Sequence, residues 1–167
     1  MAGMLHDIEQ IEVFKGPQSS VYGPNAMAGL ISMRSTEPHE NFETDLTATY
    51  GSDSHYRIGF VANTKIRNGM YFRLSGLKNY TDGFRQNVSK EMTNTNKRDE
   101  LYLRAKLMLQ PVKNLSLLGT VMVADLNNGY DAWAPDNNEE FKTYSNHQGQ
   151  DSQKSTAFSL RANLGLS

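Results

Sequence analysis

From residue 42 onward the chain alternates between less polar and more polar positions. In FETDLTATY, Phe42, Thr44, Leu46, Ala48 and Tyr50 form one set and Glu43, Asp45, Thr47 and Thr49 the other. HYRIGFVANTKI sets Tyr56, Ile58, Phe60 and Ala62 against Arg57, Gly59, Val61 and Asn63. In MYFRLSGLKNY, Phe72, Leu74 and Gly76 alternate with Arg73 and Ser75. The pattern is sharpest in ELYLRAKLML, where Leu101, Leu103, Ala105, Leu107 and Leu109 share a face opposite Tyr102, Arg104, Lys106 and Met108. NLSLLGTVMVAD and TAFSLRANLGL repeat it, the latter with Phe158, Leu160, Ala162 and Leu164 against Ser159, Arg161 and Asn163. A period of two places successive side chains on opposite faces of a strand, so the chain predicts six strands, read as antiparallel neighbours.

A soluble sandwich carries the same alternation, so the connections decide between architectures. GSDS at 51–54, RNG at 67–69 and QPVKN at 110–114 are brief, whereas 81–97 and 126–154 are long and polar. Every second junction is a tight turn, and two of the three at the opposite end are extended loops. Outer-membrane β-barrels show that asymmetry, and a barrel strand needs only about 10 residues. Arg104 and Lys106 would each cost roughly 2 to 4 kcal/mol at the lipid midplane, so they are expected to face a wet lumen. Tyr50, Tyr56, Tyr71, Tyr80 and Tyr102 lie near strand ends, where aromatic girdles form, although plain β propensity also places tyrosines in strands.

Composition narrows the function more than the fold. The net charge over 167 residues is −1, which gives no electrostatic case for nucleic acid, and with no cysteine there is neither a disulfide nor a thiolate metal site. No apolar run reaches the roughly 18 residues of a membrane helix, which leaves strand-built membrane proteins open. MAGMLHDIEQIE lacks a basic start followed by an apolar stretch, so no export signal is expected in it.

The glycine-rich GPQSSVYGPNAMAGLI at 16–31 fails as a phosphate loop, having neither the GxGxxG order nor a Lys and hydroxyl pair after Gly16 or Gly23. IEQIEVFK reads as a strand broken by Gly16 and Pro17, SSVYG as one helical turn, and AGLISMRS as a returning strand. Taken whole, DIEQIEVFKGPQSSVYGPNAMAGLISMRST resembles the end of the plug domain of TonB-dependent outer-membrane receptors. Ile8, Glu9, Ile11, Glu12, Val13, Gly16, Pro17, Ser19, Tyr22, Gly23, Ala26, Gly29 and Ile31 fit that pattern in order and spacing. Gln10, Lys15, Ala28, Leu30 and Ser32 depart from it, and Ala28 requires a backbone that tolerates a Cβ.

The resemblance implies a mainly β fold: the C-terminal part of a plug domain at 1–40, then at 41–167 about six antiparallel strands of an incomplete 22-stranded transmembrane barrel. It implies uptake of a scarce nutrient, most often an iron-siderophore, across the outer membrane of a Gram-negative bacterium. The partners would be the TonB complex, through a segment absent here, the small ligand, and outer-membrane lipid. No cofactor is implied, and a signal peptide, the rest of the plug and further strands are expected outside this chain. A non-transporting structural or adhesive β-protein is the alternative.

The remaining motifs are thin. His6, His39, His55 and His147 have neither HExxH nor triad-like spacing, so no catalytic or metal-ligating residues are expected and the chain is not read as an enzyme. In a plugged barrel Glu43 and Asp45, on one strand face, would pair with plug cations such as Lys15 or Arg34. Asp125–Glu140 is oxygen-rich but lacks the glycine and terminal glutamate of a calcium loop. Tyr130 and Trp133 on the same loop are candidate ligand contacts. NYT, NVS and NLS match glycosylation triplets, which a bacterial setting leaves idle.

Overall fold

The structure is a computed structural model that describes residues 5–23, 27–130 and 140–165, without the side chains of Ser20 and Val21. Two units are distinct. Asp7–Glu37 forms one, and the chain from Pro38 onward, joined by His6, forms the other.

The smaller unit is a hairpin. Strands β1 (Ile8–Lys15) and β2 (Gly29–Ser35) pair antiparallel around a single turn of helix, α1 (Ser19–Tyr22). The β1 strand ends where Gly16 takes φ +86°, a left-handed conformation that costs a side-chain-bearing residue about 1 kcal/mol or more. Ala28 is not among the residues with positive φ, so its Cβ is tolerated.

The larger unit is a six-stranded antiparallel sheet of sequential neighbours. Its strands are β3 (Glu43–Tyr50), β4 (Tyr56–Arg67), β5 (Met70–Thr81), β7 (Arg98–Val112), β8 (Leu115–Gly129) and β10 (Gln150–Leu164). Two short strands, β6 (Gln86–Asn87) and β9 (Lys142–Thr143), pair parallel to each other in the long loops. The tight turn between β4 and β5 needs Gly69, at φ +73°, where a Cβ would meet the carbonyl oxygen of Gln110 at 2.5 Å.

Register lines the side chains of neighbouring strands into rows of alternating facing. One face carries Leu46, Phe60, Gly76, Leu103 and Val123 in a single row, with Leu74, Ala105, Val121 and Phe158 in the next. The other carries Glu43, Asn63, Arg73, Lys106 and Thr120, then Asp45, Val61, Ser75, Arg104 and Met122. Burial runs opposite to that of a soluble core. Arg104 is 6% and Lys106 5% exposed, while Phe158 is 76% and Leu160 80% exposed. Soluble proteins rarely leave an apolar patch of this extent open to water.

Two expectations shift. Tyr50, Tyr56 and Tyr80 are register partners on the apolar face, with the Tyr56 and Tyr80 rings stacked at 5.1 Å, so they form a tyrosine row at one end of it. Tyr71 and Tyr102 instead share the polar face with Arg73 and Arg104, because strand parity outweighs nearness to a strand end. The strands β7, β8 and β10 also run further than the alternation indicates, 15 residues each. At about 3.4 Å per residue that is about 50 Å, well beyond what a hydrocarbon layer needs. In their outer parts Asn127, Asn128 and Gln150–Gln153 are polar on both faces, so the ladder continues where the periodic signal has stopped.

Candidate functional site

The polar face is a connected wall of charge and amide groups. Near one end, Arg73 on β5 holds the Glu43 carboxylate with two hydrogen bonds, of 2.9 and 3.4 Å, and His39 Nε2 lies 2.8 Å from the same carboxylate. Asn63 stands between Glu43 and Arg73 in the row. Further along, Arg104 donates to the Tyr102 hydroxyl and stacks over its ring with 5.0 Å to the centroid, and Tyr102 donates to the sulfur of Met122 at 2.9 Å. Ser75 Oγ is buried in this wall without a hydrogen-bond partner.

At the far end the wall opens into a cleft of about 840 Å³, bordered by His55, Asn79, Arg85, Arg98, Glu100 and Asn128. Asn79 donates to Glu100 at 3.3 Å and Asn128 donates to its other oxygen at 3.2 Å, while His55 Nε2 lies 3.2 Å from Asn79 Oδ1. Arg85 packs its guanidinium 6.0 Å from the Phe84 ring centroid and keeps Nη1 buried without a hydrogen-bond partner. Beside the cleft, hydrogen bonds from Ser54 and Tyr80 hold the Asp82 carboxyl below its usual range, the Tyr80 contact being 2.7 Å. Among the described residues the two long loops are tied to each other. The β6–β9 pairing joins them, Asn87 donates to Ser145 O at 2.8 Å, and Phe84 meets Phe141 edge-on at 5.1 Å.

This combination of plug-like hairpin, outward apolar band and inward charged wall has close parallels among known proteins. The ferric yersiniabactin uptake receptor FyuA of Yersinia pestis matches in structure with a TM-score of 0.85, covering 96% of this chain and 26% of its own, at 18% identity. In sequence, the chain is 32% identical to the vitamin B12 transporter BtuB of Vibrio vulnificus over 77 residues, 46% of this chain and 13% of that protein. It is 30% identical to the ferrioxamine receptor of Yersinia enterocolitica over 112 residues, 66% of this chain and 14% of that protein. The chain resembles the TonB-dependent receptors in sequence and in fold. No protein-family model matches it. It spans about one seventh of the length of the curated relatives, 13% and 14% of the two named.

The residues of the glycine-rich motif lie within the hairpin, most of them at its turn. Glu12 lies on β1 and Tyr22 closes α1, with its ring 5.9 Å from that of Phe14. Pro17 follows Gly16 into the turn, and Gly23 and Gly29 take φ +92° and +143°. A Cβ on Gly29 would meet the Phe14 carbonyl oxygen at 2.6 Å, so the start of β2 approaches β1 too closely for any other residue.

Of the four residues expected to form ion pairs, the structure gives Glu43 to Arg73 and His39 within the sheet unit, and Arg34 to Glu9 at 3.3 Å within the hairpin. Asp45 accepts from Thr47 at 3.0 Å, and Lys15 sits opposite Gly29 at the end of β1. Tyr130 is exposed and borders the outer cleft, whereas Trp133 and most of the oxygen-rich stretch after Tyr130 lie outside the described residues. Among the described residues no group of three or more His, Asp or Glu is placed to hold a metal ion. Sequence reasoning missed Arg73, Asn63 and Arg85. Their residue types were visible, but their neighbours come from strand register and loop pairing, which alternation does not encode.

Proposed function

We propose that this chain is part of an outer-membrane receptor that takes up a scarce nutrient, an iron-siderophore complex, through a plugged barrel powered by the inner-membrane TonB complex. Residues 1–40 would be the end of the plug domain and 41–167 the first barrel strands, in the outer membrane of a Gram-negative bacterium. The observation that carries this reading is the reversed sheet: Arg104 and Lys106 buried on one face, Phe158 and Leu160 open on the other. That is the facing of a lipid-embedded wall around a wet passage. A structural or adhesive β-protein in water would have the opposite facing. The named relatives are a transporter and two receptors, for vitamin B12, ferrioxamine and ferric yersiniabactin.

The outer cleft supports a polar, anion-bearing ligand. Arg85 and Arg98 supply cations, Asn79, Asn96 and Asn128 supply amides, Glu100 and Asp151 supply carboxylates, Glu100 already held by Asn79 and Asn128, and the exposed rings of Phe84 and Tyr130 flank it. Guanidinium groups bind carboxylates and other oxyanions by paired, charge-assisted hydrogen bonds. Transport needs no covalent chemistry from this segment. Ligand binding at the outer cleft would favour one arrangement of the plug over another, and the energy for release would come from the partner.

The test is uptake of labelled ferric siderophores by an iron-starved Gram-negative host that lacks its own receptors and expresses the full-length protein. Accumulation that depends on TonB is expected. Arg85→Ala should weaken binding about tenfold, the loss of one charge-assisted pair. Uptake of vitamin B12 with no ferric chelate carried would overturn the siderophore assignment, and uptake of neither would overturn transport.

A further inference from the structure

The polypeptide leaves the sheet unit after His6 and re-enters it at Pro38, so the hairpin between them has two roots. The two are held very differently. At the Pro38 root, Asn63 is 1% exposed and its side chain reads the backbone of the connecting segment on both sides. Its amide donates to the carbonyl oxygens of His39 at 2.9 Å and Asn41 at 2.6 Å, and its oxygen accepts from the His39 N–H at 3.1 Å. Around that clamp, Lys65 pairs with Glu40, and Arg73 and His39 share the Glu43 carboxylate. The hydrogen bond from Lys65 keeps the Glu40 carboxyl below its usual range.

At the His6 root two side-chain bonds are seen. Arg104 donates to the His6 carbonyl oxygen at 3.2 Å, and the His6 ring lies 3.0 Å from the Phe60 carbonyl oxygen. The ring lies tight against Gly59, where a Cβ would meet His6 Cε1 at 3.0 Å.

We propose that Asn63 makes segment 38–42 the fixed root of the hairpin and that the His6 side is the root that opens. A buried amide that satisfies three backbone groups at once is costly to disengage, because each would be left unpaired away from water. The contacts of His6 are one bond to its own carbonyl oxygen and one from its imidazole ring. The two roots therefore belong to different local-opening units, the weaker one on the amino-terminal side. This rests on the receptor reading only in taking the hairpin as the part that rearranges.

The experiment is hydrogen exchange read by mass spectrometry on the full-length receptor refolded in vesicles, in urea below the concentration that unfolds its barrel. Heat-modifiable mobility on gels reports barrel closure independently of any ligand. Amides around residues 5–7 are expected to lose protection while those of 39–42 keep theirs. Asn63→Ala should speed exchange in 38–42 about tenfold and leave β4 and β5 protected. Asn63→Asp keeps the acceptor for His39 N–H but loses both donated bonds, and should show the same effect, so it carries the test if Asn63→Ala does not fold. Arg104→Gln should affect the His6 side alone. Opening of 38–42 together with or before the His6 side, or an Asn63 variant with unchanged exchange, overturns the proposal. A failed uptake assay leaves this pattern untouched, whereas absence of the mobility shift counts against the receptor reading itself.

Discussion

Gly76 shows how a single residue is chosen by its row. It lies on the apolar face between Phe60 and Leu103, and a Cβ there would meet the Phe60 ring at 2.4 Å and Leu103 at 2.7 Å. The Phe60 ring covers the bare backbone, as aromatic residues do beside strand glycines. Gly76→Val is therefore expected to lower barrel stability by about 1 to 3 kcal/mol through overpacking, whereas Gly119→Ala, with only Leu107 O at 3.9 Å, should be nearly neutral. Urea unfolding of the full-length receptor in vesicles measures both, and equal effects would contradict the packing argument. Alternation alone put Gly76 on the correct face, but not beside Phe60. The same limit applies to Glu43: its face was legible in the sequence, while its partners Arg73 and His39 depend on how β3, β4 and β5 are registered. Period two specifies a side, and a shift of two residues preserves it while changing every partner.

At the scale of elements, the six long strands were readable because each must separate lipid from a polar interior over its whole crossing. The extensions of β7, β8 and β10 and the short strands β6 and β9 were not, since above the membrane both faces meet water and two-residue pairings have no period. What holds the loops is side-chain chemistry. Asn87 caps the 3₁₀ turn at Val88–Lys90 by accepting from Lys90 N at 3.2 Å, and donates across to Ser145 O in the other loop. Ser89 adds a hydroxyl bond to Tyr144 O at 3.2 Å. The loops are thus expected to open as one unit. Asn87→Ala should speed tryptic cleavage at Lys90 and at Lys142 together, by about tenfold, on intact receptor in vesicles. Faster cleavage at Lys90 alone would mean that the two loops move independently.

At the scale of the molecule, the sheet ends in two unpaired strands, β3 and β10, each exposed along most of its length. Every free N–H and C=O on such an edge needs a partner, and hydrocarbon supplies none. Together with the apolar face that bears Leu46, Phe158, Leu160 and Leu164, these edges make the present chain a poor solute by itself. Expressed alone and refolded without detergent, it is expected to form β-rich aggregates joined along β3 and β10, seen as rapidly sedimenting material with the infrared signature of intermolecular sheet. In detergent micelles the apolar face is covered but the edges are not, so edge-paired oligomers should persist. Joining the chain to the strands that complete its barrel should abolish them, because closure removes the edges altogether. A stable, water-soluble monomer of this chain would require the sheet to close around its other face, with Leu160 and Phe158 inward and Arg104 and Lys106 outward. Such a monomer would remove the facing on which the membrane reading depends.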